Sequence, residues 1–173
     1  MSKSEFPSKF PRIETERLIL REITQADAQA IFRNFSEPEI AKWFFEEPLT
    51  EIEQATQFID YFNSEFEQGE GITWAIEMKE NNECVGTCSI GGIEIGGGGE
   101  MGFDLAKECW GKGIMSESLI AIIDYGFTVL KLSKIDAHTY STNSRAKRLL
   151  EKLGFQLAKV SEDSDYYSLS KEV

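Results

Sequence analysis

The chain has 173 residues, 41% of them apolar and 12% aromatic, enough to bury a substantial core in one domain over residues 1–173. Its formal net charge of −12 argues against broad nucleic-acid binding, which needs a basic footprint, and suits either solubility or a cationic acceptor. The longest apolar run, Leu119 to Ile123, stops at Asp124, short of the roughly 20 residues of a membrane span, and Met1 to Glu5 holds no signal-peptide core; a cytoplasmic protein with no membrane or nucleic-acid partner is expected.

After a polar leader containing Pro7 and Pro11, residues 17–22 read as a first strand. Thr24 to Asp27 looks like a helix start, with Ala28, Ile31, Phe32 and Phe35 at helical spacing behind it. The helix breaks around Pro38, and Trp43, Phe44 and Phe45 follow as a short apolar cluster. Thr50-Glu51-Ile52-Glu53 is a capping box opening a helix that carries Ile52, Phe58, Ile59, Phe62 and Phe66 until Gly69. Residues 72–78 alternate as a strand, Glu80 to Glu83 is turn chemistry, and residues 84–90 return as the hairpin partner. The run Gly96 to Gly99 has no lysine or helix start behind it and is expected to be a flexible hairpin tip before a strand at residues 101–105. Three cysteines, Cys84, Cys88 and Cys109, leave one over in any disulfide scheme and show no metal-ligand spacing, so buried thiols and no metal are expected.

Glu108 to Leu119 joins that strand to an apolar helix over residues 116–130, with Leu119, Ile120, Ile123, Phe127 and Leu130 on one face. Gly111 and Gly113 let the backbone approach a ligand, and the first turn of the helix presents unpaired N–H groups with partial positive charge. Such a corner suits phosphate. It is not a Walker loop, since Gly113 follows Lys112, nor a dinucleotide fingerprint, since Ser116 stands where the third glycine belongs. The competing reading is a tight structural turn with Trp110 filling core beside it. Residues 134–140 then read as a strand containing the lone His138, taken as a packed residue. Asn143 caps a helix whose Leu149, Leu150 and Leu153 face inward; Gly154 ends it, Phe155 begins a strand, and residues 166–170 form the last one.

Trp110-Gly111-Lys112-Gly113-Ile114-Met115 resembles the pyrophosphate loop of the GNAT acetyltransferases, Gln/Arg-x-x-Gly-x-Gly/Ala, in the Trp-Gly-Lys-Gly form of the branch holding the ribosomal-protein N-terminal acetyltransferases. Thr142 to Ala146 followed by Leu150 to Phe155 resembles the second signature of that superfamily. Residues 15–21 resemble the opening strand of the branch, and residues 83–88 a strand in mid-sheet. Two ordered signatures about thirty residues apart, each in its expected context, are more specific than either alone. The likeness covers roughly residues 13–170. It implies an α+β GNAT fold, a mixed, mainly antiparallel sheet splayed at the centre with helices on both faces.

The resemblance implies an N-acetyltransferase that moves an acetyl group from acetyl-CoA to a primary amine, releasing CoA, and that acts as a monomer or homodimer. The acceptor it suggests is a protein N-terminal amine; a polyamine, amino acid or aminoglycoside is the alternative, as is a module that holds acetyl-CoA without transfer. The implied cofactor site comprises the backbone of Phe103, Asp104 and Leu105 along the pantetheine arm, the loop Trp110, Gly111, Lys112, Gly113, Ile114, Met115 and Ser116 around the pyrophosphate, and Asn143. Lys112 is expected either to add positive charge or to face solvent. Trp110 and Met115 depart from the pattern, and Met115 must find room away from the phosphate. Trp43, Phe44, Phe45 and Tyr140 are the expected acceptor pocket. The incoming amine must lose a proton, and Glu100 is placed to take it, a solvated strand-end acid being the competing role. The tyrosine acid that relatives carry seven residues after the asparagine is Leu150 here. Water, Ser144 or Tyr140 is left to protonate the leaving thiolate.

Overall fold

Among the described residues, 5–172 of a computed structural model, eight strands form one sheet in the order β1-β2-β3-β4-β5-β6-β8-β7. The strands are β1 (Ile13–Glu14), β2 (Leu18–Glu22), β3 (Ile72–Met78), β4 (Cys84–Gly91), β5 (Gly98–Leu105), β6 (Lys134–Tyr140), β7 (Gln156–Val160) and β8 (Ser164–Ser170). The helices are α1 (Ala28–Ser36), α2 (Pro38–Ala41), α3 (Ile52–Glu67), α4 (Ile114–Thr128) and α5 (Ser144–Lys152).

Strand alternation splits the apolar residues between two cores. Leu18, Leu20, Ile72, Trp74 and Ile76 point to the face that α4 covers with Ile114, Met115, Leu119 and Ile122. Ala75 and Cys84 meet α1, α2 and α3 on the other face, through Ile31, Phe35, Ile40, Ala55 and Ile59. A middle strand covered on both sides reads as a continuous apolar run, and β3 is buried at six of its seven positions. This is the α+β sheet with helices on both faces that the sequence led us to expect. Cys84 and Cys88 are buried, and burial pushes the Cys84 thiol up to about 12. No helix among the described residues is long and apolar enough to cross a membrane.

Seven neighbouring pairs make the sheet, and all are antiparallel except β5 with β6. That parallel pairing runs only from Gly98 to Glu100 against Lys134 to Asp136. Beyond it the two strands diverge, and Met101 to Leu105 keeps a partner in β4 alone. The sheet is therefore open at its centre.

Three local expectations are corrected. Gly98 and Gly99 belong to β5 rather than to a hairpin tip; a Cβ at Gly99 would stand 2.7 Å from Ile90 Cγ2, so the closeness of the strands demands glycine there. The capping box of α3 pairs Glu51 with Gln54, whose side-chain oxygen accepts from the Glu51 and Thr50 N–H groups at 3.0 and 2.8 Å. And α4 starts two residues earlier than read, with Gly113 as its N-cap, and its core face carries Leu119 and Ile122 while Ile120 is exposed.

Candidate active site

The strand-loop-helix corner is built from backbone conformation. Gly111 and Gly113 both adopt left-handed φ, +75° and +77°, a region that side chains with a Cβ resist. A Cβ at Gly111 would meet nothing within 4 Å, so that position faces open space. The two helices bordering the opening end differently. Asn143 Oδ1 caps α5 by accepting from the Ala146 N–H at 3.2 Å, whereas α4 has no side-chain cap. Its first N–H groups are left free at the wall of a cleft of about 640 Å³, the arrangement that binds anions.

Phe103, Leu105, Trp110, Gly111, Gly113, Ile114, Met115, Ser116, Asn143 and Ser144 all line this cleft. Met115 has the room it needs, because its side chain is buried in the main core. Trp110 is tied by its Nε1–H to the Leu105 carbonyl at 2.9 Å, and the Arg145 guanidinium lies over its ring, 4.0 Å from the centroid. Lys112 is outside the lining. The positive charge comes instead from Lys42, Arg145, Arg148 and Lys152, which the sequence reading missed. The spacing of the last three along α5, three and then four residues, was a usable signal, since it puts them on one helix face.

Hydrogen-bond alternation assigns the open edge of β5. The Ala106 N–H donates to the Val85 carbonyl, so the backbone groups of Asp104 and Gly102 also turn toward β4. Those of Met101, Phe103 and Leu105 point into the gap. Asp104 also lines the donor cleft, but its backbone groups turn to β4, and Met101 stands beside Phe103 and Leu105 on the open edge. The Asp104 carboxylate is buried and accepts from the Thr87 hydroxyl and from Asn34 Nδ2, the latter at 3.1 Å. Burial, only partly offset by these neutral donors, pushes its pKa up to about 6.

A second cleft of about 540 Å³ lies across the same wall. Trp43, Phe44, Phe103, Asn143 and Ala146 border both clefts. Tyr140 lines the second and packs on Trp43 with ring centroids 5.9 Å apart. Phe45 does not line it; it packs between Phe35 and Phe58 at 5.3 Å from each, in the helical core. Glu100 does line it, and its carboxylate meets His138 Nδ1. His138 is the residue the sequence reading left aside. The parallel seam places Glu100 opposite Asp136, and His138 is two residues further on the same face. Leu150, the replacement for the tyrosine acid, is buried at the edge of this cleft.

A sheet opened at one strand pair, with an uncapped helix and a basic face beside the opening, suits an elongated anionic ligand. Residues 17–156 match the family described as Acetyltransferase (GNAT) domain. The chain is 38% identical over 148 residues, 85% of its length and 84% of the other, to a Bacillus subtilis (strain 168) protein named uncharacterized N-acetyltransferase YoaA. It is 27% identical over 142 residues, 80% of its length and 79% of the other, to a spermidine N(1)-acetyltransferase of Vibrio cholerae. Its fold matches RimL, a ribosomal L7/L12 alpha-N-protein acetyltransferase in complex with coenzyme A, with a TM-score of 0.83 over 92% of this chain and 98% of that one, at 18% identity. This chain belongs to the GNAT acetyltransferase family and is an acyltransferase that uses acetyl-CoA.

Proposed function

We propose that the chain acetylates the free α-amine of a polypeptide. The observation that carries the acceptor reading is the make-up of the second cleft. It holds one carboxylate, Glu100, and a border of three glycines, Gly91, Gly92 and Gly102. One carboxylate suits one ammonium, whereas a polyamine calls for further acids spaced to meet its other charges. Added Cβ atoms at Gly91 and Gly92 would meet nothing within 4 Å, so a peptide backbone has space to lie against them. The fold match to an alpha-N-protein acetyltransferase supports the same acceptor. A small-molecule amine is the second reading, favoured by the spermidine-acetylating relative.

On the donor side, the free N–H groups of α4 and the basic face of α5 fit the pyrophosphate and phosphate, and the unpaired edge of β5 fits a linear arm as an added strand would. Acetyl-CoA supplies an acyl group activated as a thioester. The chain then has three tasks. Trp43, Phe44 and Tyr140 receive the ammonium over their ring faces, and Glu100, held by His138, takes its proton and frees the lone pair. A gap-facing N–H of Met101 or Phe103 donates to the acyl oxygen where negative charge develops. Ser144 on the donor side, Tyr140 on the acceptor side, or water returns a proton to the thiolate.

The test is a panel of amines incubated with acetyl-CoA and read by mass spectrometry: peptides with free or blocked α-amines, spermidine, a free amino acid and an aminoglycoside. Acetylation of the free-amine peptides alone is the expected result. Faster turnover of spermidine or another small amine would overturn the acceptor reading and leave acetyl transfer standing.

A further inference from the structure

The donor loop is held from the far end of the chain. Arg17, just before β2, donates from Nη1 to the Lys112 carbonyl at 2.9 Å, between the two left-handed glycines. The same guanidinium donates from Nε to Glu117 Oε1 at 2.7 Å. The other Glu117 oxygen, Oε2, accepts from the Arg17 N–H at 2.9 Å and from the Thr15 hydroxyl at 2.5 Å. Burial opposes the charge on Glu117, yet these donors hold its carboxyl below the ordinary carboxylate value. A Cβ at Gly113 would stand 3.4 Å from Arg17 Nη2, so the clamp also lies against the N-cap.

Glu117 is the fourth residue of α4, and a carboxylate in a first turn is drawn to the free N–H groups at the helix start. There it would occupy the position an anionic donor needs, or repel the donor from close by. Thr15 and Arg17 turn it outward and neutralise it. None of the three residues lines the donor cleft, so they act through the loop.

We infer that Thr15, Arg17 and Glu117 form a clamp that sets the shape of the donor loop and keeps the first turn of α4 open for the pyrophosphate of acetyl-CoA. They are positioning residues, and the inference rests on the reading of Gly111 to Ser116 as the donor loop. The clamp explains why the 15–17 segment, which touches neither cleft, carries the polar residues that it does.

The experiment measures CoA affinity by calorimetry, and kcat and KM for both substrates, in Arg17→Ala, Arg17→Lys and Gly113→Val. Arg17→Ala is expected to raise the Kd for CoA and the KM for acetyl-CoA about tenfold, the effect of losing a charge-assisted hydrogen bond that orders the loop, with kcat at saturating donor and the acceptor KM little changed. Arg17→Lys restores charge without the fork and is expected to recover part of the loss. A role in stability alone would lower the melting temperature and leave that split unmoved. CoA affinity within twofold of the parent in folded Arg17→Ala, with binding lost in Gly113→Val, overturns the clamp and keeps the donor loop. Affinity retained in both variants overturns the two together. Should Arg17→Ala fail to fold, Thr15→Val carries the same test, with a smaller rise in donor KM expected and an unchanged one decisive against the clamp.

Discussion

The donor cleft and the acceptor cleft share five bordering residues, yet they are made of different material. The donor side is mainly backbone: two left-handed glycines, an uncapped helix start and an unpaired strand edge. The acceptor side is mainly side chains, Trp43, Phe44, Glu100, His138 and Tyr140, gathered from a loop and two strands. Backbone geometry depends on a few glycines at fixed spacing and tolerates change between them. Side-chain geometry depends on each residue and on the register that brings it in. Short sequence motifs therefore mark the donor side, whereas residue identity and strand register set the acceptor side.

The comparison is broken most severely on the acceptor side. Glu100→Gln keeps the shape and removes the basicity, so the rate at neutral pH is expected to fall roughly 10²- to 10⁴-fold, while CoA affinity measured by calorimetry stays put. An unchanged rate would move proton removal to water or another group and leave the acceptor side without its central residue. On the donor side, Gly113→Val forces a branched residue into φ near +77°, a strain of about 1–3 kcal/mol, and weakens acetyl-CoA binding about tenfold or more. Undiminished affinity in the folded variant would take the donor site away from this loop.

That asymmetry governs what could be read in the residues beforehand. β3 and β6 were legible to the residue, because each is a strand-like run bounded by turn residues. The Gly111 to Ser116 corner was legible because glycines followed by an apolar helix leave a signature at short range. Gly98 and Gly99 were not, since a strand of glycines has no pattern; only the contact with Ile90 reveals why they are there. The start of α4 leaves no side-chain signal, because its N-cap is a glycine without a capping side chain. His138 was passed over for a deeper reason. Its meeting with Glu100 depends on which rung of β5 faces which rung of β6 across a crossover containing α4, and periodicity carries no information on that. Phe45 shows the reverse error: three aromatics in a row looked like one wall, but the chain turns and sends the third into the helical core.

Two smaller effects sharpen the comparison. Tyr140→Phe and Ser144→Ala, made singly, are each expected to lower kcat by less than about tenfold, because water can protonate a thiolate whose parent thiol has a pKa near 8.5. A loss in either variant as large as that in Glu100→Gln, with CoA affinity preserved, would identify the missing proton donor and make that side depend on one hydroxyl. The smallest effect concerns Asp104. In the folded chain it keeps its proton up to about pH 6, and in the unfolded chain it releases it near 3.8, so between those values the folded state holds the extra proton and stability falls as pH rises. In Asp104→Asn that component is absent. The variant should gain on the parent as pH climbs from about 4 to 6, read from urea midpoints; a difference that stays constant over this range would mean the carboxyl is charged throughout.

The inner edge of β5 has one more consequence. An unpaired strand edge is ordinarily a hazard, since any extended polypeptide that reaches it can zip on and seed aggregation. Here the edge lies inside the molecule, between two strands still joined at Gly98 to Glu100, so the opening is a wedge with a closed end. The seam of three residue pairs therefore closes one end of the opening and keeps the unpaired edge away from the outer margins of the sheet, where extended chains would meet it.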